Sequence, residues 1–272
     1  MQKTHRNNYS KHLNRYQTHN QNFPIDNHNL WTSSIAMWPL RQQLIIDGWM
    51  LCFFYPFTYR CNCIYPLKKG RLDILKKIKK CEQLYMRNEY GFVFQILPKL
   101  KKLDFFLKEI GYKKSQPTRW MSIHIKKHLV LQKMVYQCNI LSSDEWLDCR
   151  QKINGYSEKE AKIYKHFHQG IVASKYPFVL MIDNLPISCG LGIQVGNYLG
   201  IFDIRTKDEF QRQGYAKNLI QAIMMHAYTH GATHAQLHVD LQNIAATTLY
   251  QNLGFKHICD YWFRKKGDSA LI

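Results

Sequence analysis

The chain repeats itself at a distance of 143 residues, and that spacing limits the folds open to it. Ile110-Gly111-Tyr112 returns as Leu253-Gly254-Phe255, and Trp120 returns as Phe263. The β-rich runs at 92–97 and 235–240 keep the same offset. Two copies of one supersecondary layout, side by side, account for the 272 residues better than two unrelated domains.

Each copy mixes helical and strand periodicities. In the first, residues 30–43 mix apolar and polar residues at helical spacing. Strands at 49–54 and 59–65 flank a turn at 56–58 and make a hairpin. A helix over 71–87 sets Leu72, Leu75, Ile78 and Tyr85 on one face and lysines mostly on the other. A strand at 92–97, a helix opened by Pro98 and closed at Gly111, and a strand at 119–125 complete the copy. In the second, helices at 144–153 and 158–169 precede a hairpin of 178–182 with 187–194, turned through Asp183-Asn184-Leu185-Pro186. A strand at 198–204 follows. Ala216, Leu219, Ile220, Ile223, Met224 and Ala227 then draw an apolar stripe on a helix over 215–228, ended by Gly231. The strand 235–240 alternates Ala235, Leu237 and Val239 against Gln236, His238 and Asp240. Asn243 can cap the next helix, which carries Leu249, Tyr250 and Leu253 and stops at Gly254, before a closing strand at 258–264.

A repeat lets one copy serve as a control for the other, because residues needed for the fold belong in both. Five residues, 66–70, join the strand and helix in the first copy; ten join Ile204 to Tyr215 in the second. The longer connection contains Gln211-Arg212-Gln213-Gly214-Tyr215-Ala216. A strand that turns through a glycine into a helix leaves backbone N–H groups at the helix start, where the dipole adds positive potential. Such a turn suits an anion such as a pyrophosphate. Asn243 stands where the first copy has Leu100, and Tyr250 where it has Leu107. The candidates for chemistry are therefore these polar residues of the second copy.

The second copy resembles the GNAT superfamily of N-acetyltransferases. Gln211 to Ala216 match the family's [Gln/Arg]-x-x-Gly-x-[Gly/Ala] turn, with Gln211 in place of the commoner Arg and Arg212 beside it. Leu237-His238-Val239-Asp240 with Asn243, Ala245 and Ala246 follow. Leu249-Tyr250-Gln251-Asn252-Leu253-Gly254-Phe255 match Leu-Tyr-x-x-x-Gly-Phe. Thr206 and Asp208 stand where many members have Val and Pro. The match covers roughly residues 140–265. Asp47-Gly48-Trp49 and Arg60-x-Asn62 of the first copy resemble the degenerate lobe of two-lobed members.

The resemblance implies an α/β (α+β) fold of tandem lobes with mixed, mostly antiparallel sheets flanked by helices. The expected organisation is a disordered tail at 1–28, a degenerate lobe at 29–130 and a catalytic lobe at 131–272. It implies acetyl-CoA as acyl donor and a small-molecule or peptide amine as acceptor. Ile204 and Thr206 would face the pantetheine arm. Gln211, Arg212, Gln213, Gly214, Tyr215 and Ala216 would hold the pyrophosphate, and Asn243 would contact the arm or brace the cleft. Tyr250, with a reference pKa near 10, would protonate the leaving thiolate. Asp203 and His238 are candidates for the base, with a water relay as a third choice.

The remaining features bound the setting. Lys+Arg number 38 against 19 Asp+Glu, a net charge of +19 that fits either an anionic partner or a solvated lysine-rich surface. It keeps open a second reading, a non-catalytic basic module for nucleic acid or another anionic partner. The retained turn, Asn243 and Tyr250 weigh toward the enzyme, so nucleic acid is not the expected partner. Eight cysteines show no Cys-x-x-Cys, and no secretion signal is visible, which points to free thiols in a cytoplasmic protein. The apolar window 45–57 contains Asp47 and Gly48 and is too short to span a bilayer. His226, His230, His234 and His238 recur every four residues, but Gly231 interrupts their helix, so no metal site is expected. A monomer or homodimer is expected.

Overall fold

The computed structural model describes residues 25–54, 58–88, 90–127 and 135–267. Most of the expected tail, Pro56 and Phe57 of the first turn, and the expected lobe boundary lie outside the described residues. Among these, no helix is long and apolar enough to cross a membrane.

The first helix, α1 (Ile25–Ala36), begins inside the stretch expected to be a tail. Its own Leu30, Trp31 and Ile35 are buried, so packing onto the sheet supplies the order that local sequence lacks. The single helix expected at 30–43 is instead a helix and a strand. Pro39, which cannot continue a helix, follows the end of α1, and β1 (Gln42–Ile46) begins beyond it. Strands β2 (Trp49–Phe53), β3 (Cys63–Pro66) and β4 (Val93–Ile96) follow, with α2 (Ile74–Arg87) before β4, and α3 (Lys101–Glu109) and β5 (Lys113–His124) after it. The second half runs β6 (Cys138–Ile140), α4 (Ser143–Asn154), α5 (Glu158–Gln169), β7 (Ser174–Ile182), β8 (Leu185–Val195) and β9 (Tyr198–Thr206). It closes with α6 (Tyr215–Thr229), β10 (His234–Asp240), α7 (Ile244–Asn252) and β11 (Lys256–Lys265). The repeat is kept to the residue at α3 and α7, whose first and last residues stand 143 apart.

The eleven strands of the described residues form one sheet, in the order β1-β2-β3-β4-β11-β5-β10-β9-β8-β7-β6. The two halves exchange strands at its centre. The last strand, β11, lies between β4 and β5, and β5 lies antiparallel against β10. Each half therefore completes its sheet with a strand of the other, which binds the copies more firmly than two abutting sheets would.

The sheet is covered on both sides. Along β5, Trp120 enters the cluster beneath α1, whereas Met121 and Ile123 enter the cluster beneath α6. Helices α2, α3, α6 and α7 cover one face; α1, α4 and α5 cover the other. The parallel pair at the centre of the second half is short. Residues 198–200 of β9 pair with 234–236 of β10, after which the strands separate although β9 runs to Thr206 and β10 to Asp240. A bulge in β9 lies beside this opening. Arg205 faces Cys189 and Phe202 faces Leu191, so Asp203 and Ile204 together face Gly190. A Cβ at Gly190 would come within 2.5 Å of Ile204 Cδ1, so only glycine lets the bulged residue fold down there. Asp203 takes φ of 51°.

Candidate active site

The connection from β9 to α6 is built to expose donors. A 3-10 turn over Asp208–Phe210 leads to Gln211, whose Nε2 donates to Asp208 Oδ1 at 2.7 Å and to the Thr206 carbonyl at 3.4 Å. Gln211 thus fastens the turn to the end of β9. Arg212 and Gly214 both take positive φ, 63° and 89°. Gly214 is the N-cap of α6, and no side chain caps that helix. The first-turn N–H groups of a helix have no acceptor within it. Here Gln211, Arg212, Gln213 and Gly214 are exposed, and nothing lies within 4 Å of where a Cβ of Gly214 would be. Tyr215 turns inward, buried, and its hydroxyl donates to Gln213 Oε1 at 3.2 Å. The turn combines a positive helix end, exposed donors and open space.

The opening between β9 and β10 adjoins this turn. The Arg205 carbonyl accepts from Ser188 Oγ, and Lys207 N donates to the Ile187 carbonyl, so both residues address β8. Strand alternation then turns the backbone groups of Ile204 and Thr206 toward the open side. Asn243 lies at the end of β10, where its Oδ1 caps α7 by accepting from Ala246 N at 3.0 Å. Tyr250, two turns into α7, is partly buried against the α6 cluster with its ring 6.0 Å from Phe255. Among the described residues its hydroxyl has no hydrogen-bond partner. Burial pushes its pKa up to about 12.

The two base candidates sit in different surroundings on the other face of the sheet. The bulge brings Asp203 to that face beside Phe202. Its carboxylate accepts from the Tyr164 hydroxyl of α5 and pairs with Arg150 Nη2 of α4 at 3.4 Å. Burial raises the Asp203 pKa, and Arg150 acts against that rise. The Arg150 guanidinium stacks on the Tyr164 ring, 3.3 Å from its centroid. His238, paired with Trp120 of β5 but beyond the residues of β10 that pair with β9, stacks on the Trp120 ring at 5.8 Å and meets the Tyr261 hydroxyl through Nδ1 at 3.2 Å. Burial, with Arg60 adding to it, holds its pKa well below the ordinary histidine value. His238 is therefore a neutral imidazole and a weak base.

The structure brings Ile204, Thr206, the turn 211–216, Asn243 and Tyr250 to the ends of β9 and β10, and sets Asp203 and His238 across the sheet from α6 and α7. Sequence reasoning missed Arg150 and Tyr164, which hold Asp203, and Trp38, which joins the two base candidates' surroundings. The Trp38 ring meets Phe202 at 5.2 Å, and the Arg60 guanidinium lies 5.5 Å from it. The four spaced histidines are dispersed. His226 lies 4.3 Å from His230, His234 faces His124, and His238 faces Tyr261. Among the described residues, no group of three or more His, Cys, Asp or Glu is arranged to hold a metal ion.

Comparison with known proteins agrees with the fold. The family model described as "Probable histone acetyltransferase Rv0428c C-terminal" matches residues 28–262, and the chain belongs to this family. A relative described as the uncharacterized N-acetyltransferase YobR of Bacillus subtilis (strain 168) is 23% identical over 241 residues, covering 86% of this chain and 96% of the relative. The fold resembles a GCN5-related N-acetyltransferase from Kribbella flavida, with a TM-score of 0.68, 13% identity and coverage of 89% and 95% of the two chains. It also resembles a tandem GNAT protein from the clavulanic acid biosynthesis pathway, solved without acetyl-CoA. That TM-score is 0.61, with 11% identity and coverage of 79% and 77%. The chain is a GNAT-type N-acetyltransferase with tandem lobes.

Proposed function

We propose that the chain transfers an acetyl group from acetyl-CoA to a small-molecule or peptide amine by direct attack. The observation that carries this reading is the uncapped start of α6 at Gly214, opening onto the edge of β9 that β10 leaves unpaired. The residues fit the donor. The N–H groups at 212–217 match a pyrophosphate, and the open edge at Ile204 and Thr206 matches an amide-bearing arm. Acetyl-CoA, when bound, supplies a thioester carbonyl for attack.

The chain's residues then have separable tasks. A backbone N–H at the β9 bulge stabilises the oxyanion. Tyr250 holds its proton through the neutral range, with a pKa of about 12, and gives it to the departing thiolate. Asp203 receives the proton lost by the amine; burial raises its basicity above that of an ordinary carboxylate. His238, with a lowered pKa, orients groups at the mouth of the cleft and is not assigned the proton. The acetyl group passes to nitrogen, the C–S bond breaks, and the two protons are accounted for at Asp203 and the thiol.

The test is titration with acetyl-CoA, followed by CoA release against a panel of amines. Acetyl-CoA should raise the melting temperature, and CoA should appear only when an amine is present. No stabilisation at large ligand excess would remove this reading.

A further inference from the structure

We infer that the acceptor amine carries a carboxylate, and that Arg60 recognises it. This rests on the acetyl-transfer reading above. Arg60 belongs to the segment between β2 and β3, in the first half of the chain. Its guanidinium reaches the centre of the sheet, where Nη2 donates to the Tyr261 hydroxyl at 3.0 Å. Its Nε is buried and, among the described residues, has no hydrogen-bond partner. Among the described residues, no carboxylate pairs with Arg60. Lys77, Arg119, Arg150, Arg205 and Arg264 each pair with an aspartate.

Arg60 is half-buried, and a donor shut off from solvent without an acceptor is costly unless a ligand completes it; Arg150 Nε is also unmet, but that guanidinium pairs with Asp203, whereas nothing among the described residues offsets the charge of Arg60. Structural reasons for this arginine are weak. It caps no helix, and its guanidinium lies against the Trp38 and Phe263 rings, 5.5 Å and 5.6 Å from their centroids, contacts that favour a cation but leave its Nε unmatched. Those rings also make a low-dielectric wall, which strengthens attraction for an anion. The planar fork of arginine matches a carboxylate in particular.

The location ties the group to the reaction. Tyr261, which accepts from Arg60, also meets His238 at the mouth of the β9–β10 opening. Trp38 stands between Arg60 and Phe202, and Phe202 precedes Asp203. An acceptor whose amine lies toward Asp203 and whose carboxylate lies toward Arg60 would run along the Trp38 ring. An α-amino acid, or a short peptide presenting a carboxylate near its amine, has this form. This also assigns the first half a task that its own helix start does not perform.

The experiment measures CoA release by the full chain with amines in matched pairs: phenylalanine against phenethylamine, lysine against cadaverine, and glutamate against 4-aminobutyrate, which lacks only the α-carboxylate. In parallel, acetyl-CoA affinity is measured by calorimetry for the wild type, Arg60→Gln and Arg60→Lys. The α-carboxylated member should be preferred about tenfold or more, chiefly through KM. Arg60→Gln should erase that preference with acetyl-CoA affinity intact, and Arg60→Lys should recover part of it. Equal use of both members, a preference that survives in Arg60→Gln, or acetyl-CoA binding with turnover of none of the carboxylated amines would overturn the inference. Loss of acetyl-CoA binding by the wild type would instead overturn the acetyl-transfer reading. Should Arg60→Gln not fold, the matched pairs on the wild type decide alone.

Discussion

The starts of α2 and α6 occupy corresponding places in the two copies, and they treat the same physical problem in opposite ways. Every helix begins with N–H groups that need acceptors. At α2 the chain supplies them itself. Asp73 caps the helix by accepting from Leu75 and Lys76 at 3.1 Å each. Asp47, from the β1–β2 turn, accepts from Arg71 N at 2.8 Å and Leu72 N at 2.9 Å. Lys77, buried, pairs with Asp47 at 3.2 Å, with its ammonium 4.2 Å from the centroid of Trp49. At α6 no side chain caps the helix, and among the described residues nothing lies within 4 Å of where a Cβ of Gly214 would be. The first copy thus carries its anions on its own chain, and the uncapped start of α6 in the second is where we place the pyrophosphate of the donor. The same contrast recurs one helix later, where Leu107 is buried in α3 and Tyr250 stands at the corresponding position of α7.

The comparison can be broken at its most reactive point first. Tyr250→Phe should lower kcat by about 1,000-fold, within the range for loss of a general acid, while acetyl-CoA affinity holds. Unchanged kcat would remove Tyr250 from the chemistry. Gly214→Asp would give α6 the kind of internal anion that α2 has. Acetyl-CoA affinity should then fall by about 100-fold, close to 2.8 kcal/mol, in calorimetric titration. Undiminished affinity would place the pyrophosphate elsewhere. Asp203→Asn should lower kcat by about tenfold or more and abolish its loss at low pH. The wild-type rate should fall as pH drops through the raised pKa of Asp203, and a profile shared by both proteins would exclude it as the base.

The smallest effect concerns the internal anion. The N–H groups of Arg71 and then Leu72 draw the Asp47 pKa down to about 2 from its ordinary value of 3.8. A depressed carboxylate stabilises the fold above its unfolded pKa, and that contribution is lost as pH falls from 3.8 through about 2. Asp47→Asn should lower the melting temperature at pH 7 by about 2 °C, and the difference should shrink toward pH 2. A constant difference across that range would mean the charge of Asp47 is not what holds the loop.

Much of this contrast was visible in the residues. The glycine turn, the alternation of β10 and the capping Asn243 are local patterns, and each lies on the element expected of it. The 143-residue offset anticipated the matching bounds of α3 and α7. What local pattern could not carry was the pairing of distant strands. Nothing in residues 256–265 says that they will lie between β4 and β5, because the partners are chosen by burial across the whole sheet. The bulge at Asp203 depends on Gly190, in the neighbouring strand. In the sequence Asp47 stands only as a polar break in the apolar window 45–57, and its role at α2 appears only when the chain brings it beside Arg71. Arg60 reads as one basic residue among 38, and what sets it apart is an unmatched Nε together with the lack, among the described residues, of the carboxylate partner that Arg150 has in Asp203.

The central claim is that one copy accepts the donor and the other is closed to it. Its most direct measurement is the stoichiometry of acetyl-CoA in calorimetric titration of the full chain, repeated with Gly214→Asp and checked against the melting temperature of the free variant. One site per chain, weakened in a Gly214→Asp protein that stays folded, is the expected result. Two sites per chain, or a single site that Gly214→Asp leaves at full affinity, would contradict it.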